Sequence, residues 1–298
     1  MCVTFLFIRP PNDKTSKYKL IILNNRDEVI SRKTSNLAWE GDILCGRDEQ
    51  AKDRGTWFGI SKNGKIGVLL SITQPISDRN PMAPSRGSIV MDYLSSGQSG
   101  VNFVKNLSKK CEFFNGFQFL AFDRTLEGEY GLTTLVQKFV DEIKPEQWSP
   151  ERGVLGFGNS PPERPYLKVL HGTKIFEEKI EKIKKNPNLS ENKVIQELME
   201  VAKDKNHCEP DPQLELQAEL DRESLHFLTS LFIVQQQDGD YGTRSHSILL
   251  VDSDDNVTFY ESSASSLRMS SSSQRAYSRS QVWARIVLIP RNSAISTM

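Results

Sequence analysis

Apolar residues in this chain come in short runs: Cys2 to Ile8, Tyr18 to Leu23, both arms of "TWFGISKNGKIGVLLSIT", "FNGFQFLAFD", both arms of "SHSILLVDSDDNVTFYES", and "SQVWARIVLIP". Each is rich in Val, Ile, Leu or Phe and bounded by turn-forming residues. Runs of this length fit strands of a well-buried sheet and fall far short of a membrane span. Cys2 to Ile8 and Tyr18 to Leu23 read as an antiparallel pair across "RPPNDKTSK". Hairpin turns are expected at Asn63-Gly64 and at Ser253 to Asn256. The opening "MCVTFLFIRP" has no basic leader and no small-residue cleavage site, so it reads as a strand rather than a targeting signal.

Helical periodicity is confined to Arg86 to Ser96, Ile175 to Lys185 and Glu191 to Lys203. In the last of these, Ser190 is a candidate N-cap, and Val194, Leu198 and Val201 share one face. Strands first, helices in the middle and strands again at the end predict an α+β chain, with helices laid on a mostly antiparallel sheet or on two stacked sheets. The 298 residues allow one large domain or two small ones. Surface loops are expected near 205–223, which is acidic and carries two prolines, and near 261–281, which is serine-rich.

Lys and Arg number 38 against 38 Asp and Glu, a formal net charge of +0. That leaves no basic field for nucleic acid or an anionic membrane surface and favours a small-molecule or protein partner. Cys2, Cys45, Cys111 and Cys208 are scattered, with no CxxC pair and no zinc spacing, so they read as reduced thiols of a cytosolic-type compartment. No metal site is expected.

Chemistry is most concentrated at the N-terminus. Methionine aminopeptidases remove Met1 before a small residue such as cysteine, which would leave a free α-amine beside the Cys2 thiol. An amine titrating near about 8 can take a proton from a thiol titrating near about 8.5, and the thiolate can attack a carbonyl. The alternative is a cysteine that only packs. Arg26 and Asp27, after the apolar run "LIILNN", read either as a solvated turn or as opposite charges at a pocket mouth.

Five blocks occur in order: "MCVTFLF", "NNRDE", "GTWFGISKNGKIGVLLS", "GFGNSPPERPYLKV" and "YGTRSHSILLVD". Together they span nearly the whole chain and resemble the NRDE family of Transport and Golgi organisation proteins. That family resembles, more distantly, cysteine N-terminal-nucleophile hydrolases of the choloylglycine hydrolase and penicillin acylase type. The resemblance implies one domain over 1–298 with the αββα sandwich of such hydrolases. It also implies a shared cleft in which Cys2 is the nucleophile, Asp27 orients the α-amine, Arg26 supports the thiolate, Asn159 of "GNSP" helps stabilise an oxyanion and Arg244 of "GTRSH" lines the wall. Glu28 is left to pairing or solvent. Asn25, Ser71 and His246 complete the residues expected to contact a ligand, together with Arg26, Asp27 and Arg244.

Two departures weaken an inherited hydrolase activity more than the fold. Ser71 stands where those hydrolases carry an asparagine, and Arg26 and Asp27 are adjacent where the hydrolases separate them. The family is known for intracellular haem trafficking and for lipid and Golgi homeostasis. By resemblance, then, the chain is expected to be a cytoplasmic carrier of haem or another small amphipathic ligand. It would need no resident cofactor, make transient contacts with a membrane or an organelle protein, and associate with mitochondria or storage organelles. The other class is a cysteine amidohydrolase acting on a small amide or acyl substrate. The residues themselves show no haem attachment motif, and His171, His207, His226 and His246 read as surface or core residues. Trp39, Trp57, Phe58 and Phe157 suit an apolar pocket or an ordinary core.

Overall fold

The computed structural model describes residues 1–13, 15–137, 146–148, 153–234, 239–266 and 277–288. Among the described residues, thirteen strands form two sheets in which every pairing is antiparallel. One sheet contains β1 (Val3–Ile8), β2 (Tyr18–Val29), β10 (Gly153–Phe157), β11 (Tyr241–Asp252), β12 (Asn256–Ser266) and β13 (Tyr277–Val287), in the order β10-β1-β2-β11-β12-β13. The other contains β3 (Ala38–Glu40), β4 (Ile43–Cys45), β5 (Phe58–Ser61), β6 (Ile66–Ser71), β7 (Phe117–Arg124), β8 (Tyr130–Gln137) and β9 (Glu146–Trp148), in sequence order. The helices are α1 (Gly87–Ser95), α2 (Gly100–Ser108), α3 (Leu167–Lys185), α4 (Glu191–Ala202), α5 (Pro212–Ala218) and α6 (Arg222–Phe227).

Three apolar layers hold these elements together. Leu6, Ile22, Leu249 and Phe259 of the first sheet meet Phe58, Val68, Leu120 and Phe122 of the second. On the outer face of the first sheet, Phe5, Ile21, Leu23 and Ile248 pack against Phe176, Ile180 and Leu198 of α3 and α4. On the outer face of the second, Phe119 and Ala121 pack against Val90 and Tyr93 of α1 and Val104 of α2. The result is an αββα sandwich. Strands buried on both faces have no polar side to alternate with, which is why they read as continuous apolar runs.

Several boundaries differ from those expected. β2 does not stop at Leu23 but runs to Val29, so "NNRDE" lies within a strand, and Arg26 and Asp27 are each only 5% exposed rather than in a solvated turn. α3 begins at Leu167, eight residues before the periodicity predicts. Gly172 interrupts the pattern there because a Cβ would stand 2.2 Å from the Phe5 ring, so only glycine lets helix and sheet approach this closely. Within 205–223, Asp211 caps α5 by accepting from the Gln213 and Leu214 amides, with Pro212 at the first helical position, and Asp221 caps α6. Near 261–281, β12 continues to Ser266 and β13 resumes at Tyr277; residues 267–276 of that expected loop, and the end of "SQVWARIVLIP", lie outside the described residues. All four cysteines are free thiols.

α3 and α4 are also clamped electrostatically. The Glu197 carboxylate, almost fully buried, accepts from Lys182 Nζ at 2.8 Å and Lys179 Nζ at 2.9 Å. These ammonium groups hold its pKa down to about 2. A carboxyl with a depressed folded-state pKa contributes its stability above the ordinary glutamate range and loses it as pH falls towards the folded value. Glu197→Gln is therefore expected to be less stable than the parent at pH 7, with the gap closing as pH falls from about 5 towards about 2. Urea midpoints across that range check this, and a gap that does not change with pH contradicts it.

Candidate functional site

A cleft of about 960 Å³ opens where β1 begins, β2 and β6 end, and the chain leaves β10. The pleat of β1 and β2 distributes the groups. Cys2 packs with Leu6 and Ile22 in the layer between the sheets, whereas Met1 packs with Val3 and Leu23 in the helical layer. Arg26 follows the inner parity and stacks its guanidinium 4.0 Å from the Trp57 ring centroid, a favourable cation–π geometry. Asp27 follows the outer parity. Its Oδ2 lies 3.5 Å from the Met1 amine, and its Oδ1 accepts from Thr243 Oγ1 at 2.6 Å. The amine also donates to the Tyr241 hydroxyl.

Burial pushes the Asp27 carboxyl pKa up, against the pull of the amine and of Lys168. Burial likewise raises the Cys2 thiol, whose Sγ lies 3.7 Å from the Asp27 carbonyl oxygen, with the amine and Arg26 opposing. For Arg26, burial lowers the pKa and Glu28, 3.5 Å away, resists. Arg26 Nη1, Asp27 Oδ2 and Asn159 Oδ1 are buried without a hydrogen-bond partner, an arrangement that is costly unless something else supplies the missing contact.

Asn159 and Ser71 both line the cleft. The Asn159 side-chain amide donates to the Ser71 carbonyl at 2.5 Å, and the Asn159 backbone carbonyl accepts from the Thr73 N–H at 2.8 Å. It therefore staples the end of β6 to the segment after β10 and spends one of its two amide donors on the backbone.

Cys2, Arg26, Asp27, Ser71 and Asn159 thus line one cleft, whereas Asn25, Arg244 and His246 do not. Asn25 and His246 are opposite one another on β2 and β11, on the helical face. Their side chains meet at 2.8 Å, and the Asn25 amide donates to the Ala202 and Leu231 carbonyls. They form a buried junction outside the cleft lining. Arg244 sits at the register shift between Thr243 and Ser245, and its guanidinium donates to the Val29 and Ile30 carbonyls. Of the aromatics considered for the pocket, Trp57 alone lines it; Phe58 and Phe157 fill the core between the sheets, and Trp39 is 42% exposed on β3.

Other groups enter that motif reasoning missed. Arg79 and Arg86, from the segment between β6 and α1, line the cleft, as do Phe227, Leu228 and Tyr241. Lys168 is 1% exposed, donates to the Ser230 carbonyl at 3.2 Å and interacts with Asp27; burial lowers its pKa and Asp27 opposes. Its signal was present in the sequence, because Lys168, Gly172, Phe176 and Ile180 are spaced for one helical face. Among the described residues, no group of three or more His, Cys, Asp or Glu is placed to hold a metal ion, and no helix is long and apolar enough to cross a membrane.

The family model described as Transport and Golgi organisation 2 matches residues 1–266. The Transport and Golgi organization protein 2 homolog of Bos taurus is 32% identical over 268 residues, covering 88% of this chain and 93% of that protein. The Homo sapiens homolog is 30% identical over 282 residues, covering 93% and 98%. Among solved structures, the mutant C2A conjugated bile acid hydrolase from Clostridium perfringens is similar with a TM-score of 0.47 and 10% identity, over 88% of this chain and 89% of that one.

Proposed function

Because the chain belongs to the Transport and Golgi organisation 2 family, we propose that it is an intracellular carrier that takes up haem, as cargo, in the cleft beside Cys2. The observation that carries this reading is the make-up of the cleft. About 960 Å³ of space joins apolar side chains such as Trp57, Ile72, Phe227 and Leu228 to the buried Arg26, one of whose N–H groups lacks a partner. Apolar walls with a few placed polar groups suit an amphipathic ligand, and arginine is the residue best shaped to grip a carboxylate such as a propionate.

No histidine lines the cleft among the described residues, so the carrier holds its cargo by shape, apolar contact and charge rather than by an axial pair. Release is easier under such an arrangement, as a trafficking role requires. Transient contact with a membrane or an organelle protein at the cleft mouth would complete the transfer.

One observation favours a second reading, that of a cysteine amidohydrolase acting on a small amide or acyl substrate. The amine, the Asp27 carboxylate and the Cys2 thiol are gathered at the head of β1. With Met1 removed, the Cys2 amine would be free to take the thiol proton as the sulfur attacks a carbonyl carbon. The raised thiol pKa and the engagement of Asn159 with Ser71 weigh against it.

Spectral titration with haemin of the parent and of Cys2→Ala tests both. The carrier reading expects binding without a sharp low-spin bis-histidine spectrum, and an affinity in Cys2→Ala within about thirtyfold of the parent, since one thiol in a wide cleft contributes no more than roughly 1–2 kcal/mol. The absence of any spectral change in the parent contradicts the carrier reading. Loss of cellular rescue by Cys2→Ala at a normal protein level, with haemin binding retained, moves the assignment to the amidohydrolase.

A further inference from the structure

The cleft does not treat its arginines alike. Arg32 is paired with Asp48 at 2.7 Å, and Arg26 has Glu28 at 3.5 Å. Arg79 and Arg86, by contrast, have no carboxylate partner among the described residues. Arg86 is fixed by one bond, from Nη1 to the Gly116 carbonyl at 2.8 Å. Of the acids on the same walls, Glu223 is exposed to solvent at the start of α6 and the other four are already committed. Asp27 accepts from Thr243, Glu28 and Asp48 serve Arg26 and Arg32, and Asp221 accepts from the Ser224 backbone and hydroxyl at the start of α6.

Two guanidinium groups without ion-pair partners among the described residues therefore share a cleft with a third, 5% exposed, that leaves Nη1 unsatisfied. Arg79 is exposed at the cleft mouth and Arg86 is half-buried behind it; like charges so gathered repel, and an anion placed among them removes both the repulsion and the missing hydrogen bond. Burial and then the charge of Arg79 lower the Arg86 pKa, with Glu28 opposing. Apolar surface lies across the same cleft, from Leu220, Phe227 and Leu228.

We infer that Arg79 and Arg86, backed by Arg26, form a subsite for the anionic head of an amphipathic ligand, a carboxylate or a phosphate, whose apolar body lies against Leu220, Phe227 and Leu228. The inference rests on the carrier reading and adds to it the residues that recognise the head group. It extends the class of cargo from haem propionates to single-chain anionic lipids.

The test compares cis-parinaric acid with its methyl ester, by fluorescence, on the full chain and on the double variant Arg79→Gln/Arg86→Gln, with thermal melts to establish that the variant is folded. The acid is expected to bind the parent at least about tenfold more tightly than the ester and to lose about tenfold or more in the variant, the ester being unchanged. Arg79→Lys/Arg86→Lys is expected to recover part of the loss. Competition by oleate or by lysophosphatidic acid assigns the head group, and competition by either that disappears in the double variant supports the subsite. Equal affinity for acid and ester in the parent, or a folded double variant that binds the acid as the parent does, overturns the inference while leaving haemin binding to stand or fall separately. Arginine-dependent binding of the acid with no haemin response supports the subsite and removes haem as cargo. A parent that binds neither probe overturns both.

Discussion

Asp27→Ala is expected to lower the unfolding free energy by about 3–5 kcal/mol, the usual consequence of removing one member of a buried charge pair. Lys168 is buried, makes one hydrogen bond to the Ser230 carbonyl, and has Asp27 as the leading charge favouring its protonated form. Without the carboxylate, that ammonium and the N-terminal amine share a poorly hydrated space in which the weaker pull of Asp211 on Lys168 remains, and Thr243 Oγ1 loses its acceptor. Asp27→Asn keeps the acceptor but not the charge, so it separates the two contributions. Adding Lys168→Met to Asp27→Ala is expected to restore part of the loss, because an apolar side chain of similar length leaves no charge to solvate.

The pH dependence has a definite sign. A lysine whose folded-state pKa lies below its ordinary value binds fewer protons folded than unfolded, so stability rises with pH between the two values. Removing Asp27 lowers the folded value further and widens that window. Urea unfolding should therefore show the Asp27→Ala deficit shrinking as pH rises. A variant within 1 kcal/mol of the parent, or a deficit that grows with pH, would count against the buried pair.

Gly55→Ala is expected to destabilise by about 3 kcal/mol, the upper end of the usual range for overpacking, and to weaken ligand binding as well. A Cβ on Gly55 would stand 2.4 Å from the Gly87 carbonyl carbon and 2.6 Å from its Cα. Both are backbone atoms and cannot swing aside as a side chain would. The contact is reinforced by the Thr56 N–H bonding the Gly87 carbonyl at 3.1 Å and the Asp48 N–H bonding the Gly55 carbonyl at 2.8 Å. Since Gly87 opens α1 and Arg86 precedes it, forcing the two backbones apart displaces Arg86 from the cleft wall. Gly87→Ala, whose Cβ would meet Gly55 Cα at 3.0 Å, should be milder, about 1 kcal/mol. Chemical denaturation and probe binding on both variants check the ranking, and a Gly55→Ala protein of parental stability contradicts it.

Most of the sandwich is legible in the sequence because burial on both faces writes each strand as an apolar run; β7, "FQFLAFDR", is an example. Helices that carry little apolar surface are harder to read. α2, "GVNFVKNLS", buries only Gly100, Val104 and Leu107, too few to stand out between Gly and Ser. The first turns of α3 are hidden by Lys168 and Gly172, two residues whose reasons for being there lie in other elements. The cleft shows the same division. Cys2, Arg26, Asp27, Ser71 and Asn159 belong to strand ends that short motifs mark. Asn25 and His246 belong to the same motifs but to the other pleat parity, and parity becomes readable only once β2 is known to continue to Val29. Arg79 and Arg86 come from a connection whose path depends on the meeting of Gly55 and Gly87, which no local pattern announces.

The alternation of β2 also bears on how such a chain can change length in descent. Within the strand, neighbours are assigned to opposite compartments, with Arg26 against Trp57 and Asp27 beside the amine and Lys168. One residue gained or lost between Leu20 and Asn25 would exchange those assignments for everything beyond it, delivering a carboxylate to the indole and a guanidinium to the buried ammonium. The exposed connection around Pro11 and Asn12 carries no such information, because the pairing of Ile8 with Leu20 resumes whatever its length. Insertions and deletions among descendants should thus accumulate between Pro10 and Ser16 and be purged from the strand that follows. Length, more than residue identity, is what lineages cannot vary in the segment leading to the cleft.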